Sequence, residues 1–384
     1  MKVLYILHST IMGGATLSFI NLVKGLLDYG VSPVVVAPLM EEPFRSIMKT
    51  MGVTLYEVPV KVSIYPFKEG QFRMMNTICY SKKVACLLRD KRHSYKQLSN
   101  IIQKERPDIV HTNTGVVQEG FFAAKNNHIP HVWHLREYQD KDFGWFVFPS
   151  KGFLRRCLKK SNVISITKDI LKSFQLLESS HHRVVYNGVL KKESTSLVFP
   201  KENYFLCASR VSPEKGIDLV IKAFSQFYNT HKDYRLKILG FGSDKYVESL
   251  RKLAISLSCA DAIDFMGYQT NVADYMRKAR GLIVASRCEG FGRMTAEACF
   301  CGCVVIGKDT GGTREILKET GGLLFTEEGD LLKCMEKLAM MDETDYKDVA
   351  NNAANVACNL YSTEQNISNT YRFYKDILKA SEKG

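Results

Sequence analysis

The stretch Glu289-Gly-Phe-Gly-Arg-Met-Thr-Ala-Glu297 combines residue types that can hold a phosphate and a sugar at once. Residues 281–286 before it read as a short buried strand, and the run after Phe291 reads as the start of a helix. Two glycines in the connecting loop let backbone come close to a ligand. The first N–H groups of the helix have no partner within it, and the helix dipole turns its positive end toward whatever lies there. That is an anion site, and phosphate is the anion it suits. Glu289 and Glu297, at the two ends, would repel a phosphate. They suit uncharged hydroxyls, because an ionised carboxylate only accepts hydrogen bonds and a hydroxyl donates them. Phosphate on backbone amides, with hydroxyls on a carboxylate at either end, describes a nucleotide sugar. A plain strand–helix connection with two solvated glutamates satisfies the same short motif, so the rest of the chain has to decide.

The elements that must position these residues form two α/β series. In the first, strands at 3–7, 33–37, 54–58, 108–112, 130–135, 163–166 and 183–186 alternate with helices at 15–28, 42–50, 95–104, 117–125, 152–160 and 168–177. Several strands are unbroken apolar runs, as expected for strands covered on both faces. The polar segment 191–201 reads as a linker. The second series has strands at 204–208, 236–239, 263–265, 282–285, 303–306 and 323–325, with helices between and after them. Ser362-x-x-Gln365 is a capping box, and Ile367, Tyr371, Tyr374 and Ile377 share one face of the helix it starts. This alternation implies parallel sheets with helices on both faces. The expected fold is α/β, with two doubly wound, Rossmann-like domains facing a central cleft. They span 1–190 and 191–361, and a C-terminal helix, 362–384, returns to the first. Ligands bind such folds beyond the carboxyl ends of the strands, which puts the loop 289–297 on the cleft.

The chain has 384 residues, 45% hydrophobic and 24% charged, which fits about two globular domains. No apolar run approaches the ~18 residues of a membrane span. The opening Met1-Lys2-Val3-Leu4-Tyr5-Ile6-Leu7 reads as a core strand rather than a signal peptide. Both features predict a cytoplasmic location. The eleven cysteines include no CxxC pair. Cys299, Cys301 and Cys303 read as buried reduced thiols, so no metal is expected there, and no motif in the chain points to a cofactor. The net charge of +13 is uneven, with +12 on residues 1–188 and +1 on the remainder. An anionic partner is therefore expected for the first half alone.

Further candidates surround the expected cleft. Arg210 and Lys215 follow the strand 204–208 and precede a helix, where cations oppose the helix dipole. Either they are solvated surface charges or a bound diphosphate resolves the conflict. Gly240-Phe241-Gly242 and Gly311-Gly312 close strands at tight turns. Gly13-Gly14 opens the first helix but is no G-x-G-x-x-G fingerprint. His134 ends its strand, where position alone favours a satisfied core histidine over a ligand contact. On the helix 152–160, Phe153, Leu154, Cys157 and Leu158 fall on one arc, and Arg155, Arg156, Lys159 and Lys160 on the opposite one. The basic arc is either solvated or a face for an anionic membrane surface.

In order along the chain come Ser209-Arg210 with Lys215-Gly216, Ile238-Leu239-Gly240-Phe241-Gly242, Phe265-Met266-Gly267, Glu289-Gly-Phe-Gly…Glu297-Ala298, Cys301-Gly302-Cys303-Val304-Val305 and Thr310-Gly311-Gly312. With Gly13-Gly14, Asp108-Ile109-Val110-His111, His134 and Asn187-Gly188-Val189, this resembles a family 4 glycosyltransferase of the GT-B fold, of the bacterial surface-polysaccharide type. The resemblance implies a retaining, metal-independent transfer of a sugar from a UDP- or GDP-linked donor to a glycan or lipid-linked acceptor. It assigns Arg210 and Lys215 to the donor diphosphate, Glu297 to the ribose and Glu289 to the donor sugar. Phe291, Gly292, Met294 and Thr295 would lie along the donor, with Gly240 beside them and Met266 meeting the base through its backbone. Gly13 and Gly14 would approach the phosphate and His134 the sugar. Thr16, Arg293 and Cys303 depart from the usual pattern, and the stretch 65–103 matches none of it. A nucleotide-sugar epimerase shares the fold and would act without an acceptor. A nucleic-acid binder would explain the charge, but no binding module or aromatic–basic sheet face is present, so no nucleic-acid partner is expected.

Overall fold

The structure, a computed structural model, describes residues 1–68, 77–141 and 144–382. It divides into two units: Met1–Gly188 with Glu364–Gly384, and Val189–Thr363.

In the first unit the strands β1 (Lys2–Ile6), β2 (Ser32–Ala37), β3 (Thr54–Glu57), β5 (Ile109–Thr112), β6 (His131–Leu135), β8 (Asn162–Ser165) and β9 (His182–Val184) form one parallel sheet. Their order is β3-β2-β1-β5-β6-β8-β9, so the order reverses between β1 and β5. Helices α1 (Gly14–Asp28), α2 (Phe44–Thr50), α3 (Thr77–Glu105), α4 (Glu119–Asn126), α5 (Lys151–Leu158) and α6 (Lys168–Ser173) connect them. Val3, Leu4, Tyr5 and Ile6 are all fully buried, which explains why β1 is an unbroken apolar run. Two features lie outside the sequence expectations. A short antiparallel pair joins β4 (Ile64–Lys68) to β7 (Trp145–Val147). The helix expected at 95–104 is the last third of the much longer α3. Of the stretch 65–103, residues 69–76 lie outside the described residues.

In the second unit β10 (Glu202–Ala208), β11 (Arg235–Leu239), β12 (Ile263–Gly267), β13 (Ala279–Val284), β14 (Val305–Lys308) and β15 (Leu323–Phe325) form a six-stranded parallel sheet, ordered β12-β11-β10-β13-β14-β15. Here the reversal lies between β10 and β13. The helices are α7 (Ile217–Tyr228), α8 (Asp244–Ser256), α9 (Val272–Lys278), α10 (Arg293–Phe300), α11 (Gly311–Thr320), α12 (Glu328–Met340) and α13 (Glu343–Leu360). Phe205, Val220, Phe224, Phe227 and Leu236 lie at the heart of its core. Tyr346 of α13 locks the sheet: its hydroxyl accepts from Val304 N–H at 3.1 Å and donates to the Arg280 carbonyl at 3.0 Å.

The last helix, α14 (Thr363–Ser381), begins where the chain leaves the second unit. Ser362 and Thr363 still pair with Leu190, Thr363 N–H reaching the Leu190 carbonyl at 2.8 Å. From Glu364 onward the chain belongs to the first unit. Ile367, Phe373, Tyr374 and Ile377 join the core around Tyr5, Phe19 and Val23. Gly25 of α1 leaves the space that Ile367 fills. No helix among the described residues is long and apolar enough to cross a membrane.

Candidate active site

Reversals of strand order open crevices at the carboxyl edge of a parallel sheet, because the helices on either side diverge there. In the second unit the loops at this point are 209–216, after β10, and 285–292, after β13. They are tied together. Arg287 N–H donates to the Glu214 carbonyl at 2.9 Å. Gly216 has φ +66° and faces the Ala285 carbonyl so closely that a Cβ would collide with it. Across this point Lys215 Nζ meets Glu289 Oε1 at 2.6 Å, with the two side chains 21% and 24% exposed. Two residues 74 apart in sequence, each chosen for a different part of a ligand, form one ion pair.

Gly292 caps α10 in the left-handed region, φ +90°, so the turn into the helix depends on glycine. The first turn of α10 holds no acid, and its leading amides keep the anion-binding character expected of them. The N-terminus of α11 abuts the same loop. Gly312 N–H donates to the Glu289 carbonyl at 2.8 Å, and Thr295 and Thr313 bring their hydroxyls to 3.4 Å. Two helix starts thus converge beside the Lys215–Glu289 pair.

Glu297, one turn into α10, pairs with Arg293 Nε at 2.7 Å, and Arg293 also donates to the Val189 carbonyl at 3.1 Å. Burial pushes the Glu297 carboxyl pKa up, and the Arg293 charge draws it part of the way back. Neither glutamate is simply waiting for a hydroxyl, then. Each already engages a cation through one oxygen, though a carboxylate has further acceptor capacity. Arg210 stands apart from this cluster. It is 66% exposed and pairs with Glu214 at 2.8 Å. Arg293 and Glu297 share α10 at i,i+4 spacing, a signal readable in sequence, whereas Arg210 and Glu214 meet across a loop.

A cavity of about 200 Å³ is lined by Arg210, Gly240 and Met294 from the expected set, by Phe241 of the Gly240-Phe241-Gly242 motif, and by Tyr268, Gln269 and Val272, which the sequence did not single out. Gly240 has φ +129° and leaves no room for a Cβ against the Ser209 carbonyl. Gln269 Nε2 donates to the Met266 carbonyl at 2.8 Å, so that backbone acceptor is already in use. Phe291 and Thr295 are buried. Any part they play in binding falls to their backbone.

In the first unit Gly13 and Gly14 line a cavity of about 210 Å³ with His8, Thr16 and Asn113. It sits at that unit's own reversal, between β1 and β5, where α1 begins. Asn113 of its wall is held in place by Arg136, which donates to Asn113 Oδ1 and to Asn187 Oδ1, both at 2.9 Å. His134 is 0% exposed. Its Nδ1 lies 3.1 Å from His111 Nε2, and His111 bonds onward to Tyr374 of α14. Burial holds both imidazoles well below their ordinary pKa, hence neutral. His134 thus sits in the core, yet it is not fully satisfied there: its Nε2 is buried and has no hydrogen-bond partner among the described residues. Among the described residues there is no cluster of His, Cys, Asp or Glu able to hold a metal ion.

Residues 191–356 match the family described as Glycosyl transferases group 1. An uncharacterized glycosyltransferase of Methanocaldococcus jannaschii is 28% identical over 64% of this chain and 68% of its own length. An uncharacterized 42.6 kDa protein in the cps region of Klebsiella pneumoniae is 24% identical over 83% of this chain and 87% of its own. Two further relatives are matched over only 60% and 40% of their length. Among solved structures, Anabaena HepE in complex with UDP superposes with a TM-score of 0.76 at 18% identity, covering 97% of this chain and 99% of that one. The second unit therefore carries a group 1 glycosyl transferase domain, an enzyme domain, and the chain as a whole has the two-domain GT-B fold.

Proposed function

We propose that the enzyme moves a sugar from a UDP- or GDP-linked donor to a glycan or lipid-linked acceptor with retention of anomeric configuration, in the assembly of a surface polysaccharide. The observation that carries this reading is the Lys215–Glu289 pair at the strand-order reversal, beside two helix N-termini. In the reaction the bond from the anomeric carbon to the diphosphate oxygen breaks and a bond to the acceptor oxygen forms on the same face. The acceptor's proton leaves with the diphosphate. Negative charge develops on the departing phosphate oxygen, with Lys215, the leading amides of α10 and, once it leaves Glu214 for the donor, Arg210 as the groups that stabilise it. Glu289, anchored by Lys215, takes donor-sugar hydroxyls, and Glu297 takes the ribose. No metal is required, so a chelator leaves activity unchanged. HepE binds UDP and UDP-glucose, and the Klebsiella relative lies in a cps region; both support this reading. A thermal-shift panel of UDP, GDP and ADP tests it. The right nucleotide at 100 times its Kd stabilises by about 2.7 kcal/mol, and no shift with any of the three would refute a nucleotide-sugar donor.

Glu297→Gln should weaken nucleotide binding about tenfold or more, the worth of one charge-assisted hydrogen bond. The pH dependence carries the same signature. Only the ionised carboxylate is a full acceptor, and burial raises its pKa. Affinity in the wild type should therefore fall, as the solution is acidified, before an ordinary glutamate would protonate. Glu297→Gln should lack that step. Titrations of the nucleotide from neutral to mildly acid pH decide it; an identical profile in both proteins would remove Glu297 from the ribose.

The basic arc of the first unit is smaller than the sequence suggested. Helix α5 ends at Leu158, and Leu154 and Leu158 are buried. Arg155 is only half exposed, which leaves Arg156, Lys159 and Lys160 on the surface. The proposed cytoplasmic enzyme would approach an anionic membrane through these three. Cations near such a surface contribute about 1 kcal/mol each, screened by salt. The triple Gln variant should leave anionic vesicles in co-sedimentation at low salt while binding nucleotide normally. Undiminished sedimentation would show the face to be solvated surface only.

A further inference from the structure

A second cavity, about 630 Å³, lies in the first unit between α3 and α4. Its volume is in the range of ligand pockets. Its lining residues fall between Lys91 and His128, and none belongs to the loops around Lys215 and Glu289. At its base Lys91 Nζ pairs with Glu119 Oε2 at 3.1 Å, the side chains only 13% and 3% exposed. Lys91 also reaches the Ser63 hydroxyl, and the Gln118 N–H donates to the same Glu119 oxygen at 3.0 Å. Both contacts to Glu119 fall on Oε2. Glu119 Oε1 is buried and has no partner among the described residues. A buried acceptor left unmatched is costly, and a ligand hydroxyl is the donor that would satisfy it.

The charges of Lys91 and Glu119 cancel, so the rim decides the sign of the cavity. Arg92, Lys125 and His128 line it and are exposed. Among the described residues no acid pairs with Arg92 or Lys125. The walls are mainly apolar, with Tyr95 from α3 and Phe122 from α4. Phe122 is 37% exposed and is braced from behind by Phe153 of α5, ring to ring at 6.3 Å. An exposed aromatic face between an anion-seeking rim and a hydroxyl-seeking carboxylate is a composite site. Burial also lowers the Lys91 pKa, with Glu119 opposing the shift, so the ion pair and the orphan oxygen depend on each other.

We propose that this cavity binds a phosphorylated sugar, with its ring on Phe122 and Tyr95, a hydroxyl donating to Glu119 and its phosphate held by Arg92, Lys125 and His128. The site is independent of the nucleotide site in the second unit. The phosphorylated sugar could be a free metabolite or the head of a lipid-linked glycan, and the test separates the two. Glucose 1-phosphate is titrated calorimetrically into the full-length protein, with and without saturating UDP, beside glucose and inorganic phosphate. Binding that persists with UDP present, and exceeds that of either half alone, is expected. Glu119→Gln should weaken it about tenfold or more. Since that change disturbs a buried pair, Arg92→Ala with Lys125→Ala is the companion variant, at two exposed positions whose loss leaves the core alone. It should weaken binding at least as much and flatten its salt dependence. Lys215→Ala should leave it unchanged. A second arm compares vesicles of phosphatidylcholine with and without a polyprenyl-phosphate-linked sugar. Capture of these vesicles without binding of the soluble probe identifies a lipid-linked ligand; binding of the soluble probe identifies a free one. Binding in neither arm, binding abolished by Lys215→Ala, or inorganic phosphate binding as tightly as the sugar phosphate would each overturn the proposal.

Discussion

Lys215→Ala should slow sugar transfer by about 10²-fold or more, the usual cost of removing one electrostatic stabiliser from a transition state. The fold should survive, because Lys215 and Glu289 keep about a fifth of their side-chain surface in water and an orphaned Glu289 can be hydrated. The loss should appear in kcat and in the affinity for bare nucleoside diphosphate together, since the cation serves the phosphate in both states. Glu289→Gln separates the roles. It removes the anion that anchors Lys215 and the acceptor for the donor sugar, so it should reduce turnover with a smaller effect on binding of the bare nucleotide. Arg210→Ala, at an exposed position paired with Glu214, should fall in the same direction as Lys215→Ala. Wild-type kcat in Lys215→Ala, measured with saturating donor, would mean that the ion pair is structural and that the diphosphate is stabilised elsewhere.

The second large effect is expected from a single methyl group. A Cβ on Gly312 would lie well inside 3.0 Å of the Phe291 backbone, and nothing flexible is there to give way. Gly312→Ala must push the loop carrying Glu289 and Gly292 off α11 and break the Gly312 N–H bond to the Glu289 carbonyl. Overpacking of this kind costs about 1–3 kcal/mol. Because the displaced loop holds one partner of the ion pair and the start of α10, nucleotide binding should be lost along with stability. Gly240→Ala makes the same demand at the Ser209 carbonyl and adds the strain of φ +129°. Gly329→Ala is the control. It sits in α12 with nothing within 4 Å of a Cβ, so alanine there should be neutral or slightly stabilising. Chemical denaturation of the three variants beside a nucleotide titration checks the order. Unaltered nucleotide affinity in Gly312→Ala would show that the loop does not need α11 to hold its shape.

Strands whose side chains are covered on both faces announce themselves as apolar runs, and the central strands such as β1, β2 and β13 were legible for that reason. Their ends were not always so. The strand read at 303–306 is β14, Val305–Lys308, and the one read at 282–285 is β13, Ala279–Val284, because pairing with neighbours sets strand limits and glycine or lysine carries no apolar mark. Helix α3 escaped notice over most of its length because Lys82, Lys83, Arg89, Lys91 and Arg92 fill it with charge, and among its described residues the buried apolar side chains begin only at Leu98. The pairing of β4 with β7 joins short segments far apart in the chain, and no local pattern encodes it.

The candidate site divides along the same line. Residue type and position at strand ends and helix starts were enough to select Arg210, Lys215, Glu289, Gly292 and Glu297, because glycine, cation and carboxylate chemistry is local. The i,i+4 partner Arg293 of Glu297, on α10, was equally available to a reading by helix period. Only the tertiary structure decided that Lys215 belongs to Glu289, since it is the reversal of strand order between β10 and β13 that sets their loops side by side. It also decided that His134 is enclosed with His111 and Tyr374, and that Lys91 and Glu119 meet beneath a cavity. Burial and long-range pairing are properties of the packed sheet and its helices, and a linear sequence expresses them only through the fold.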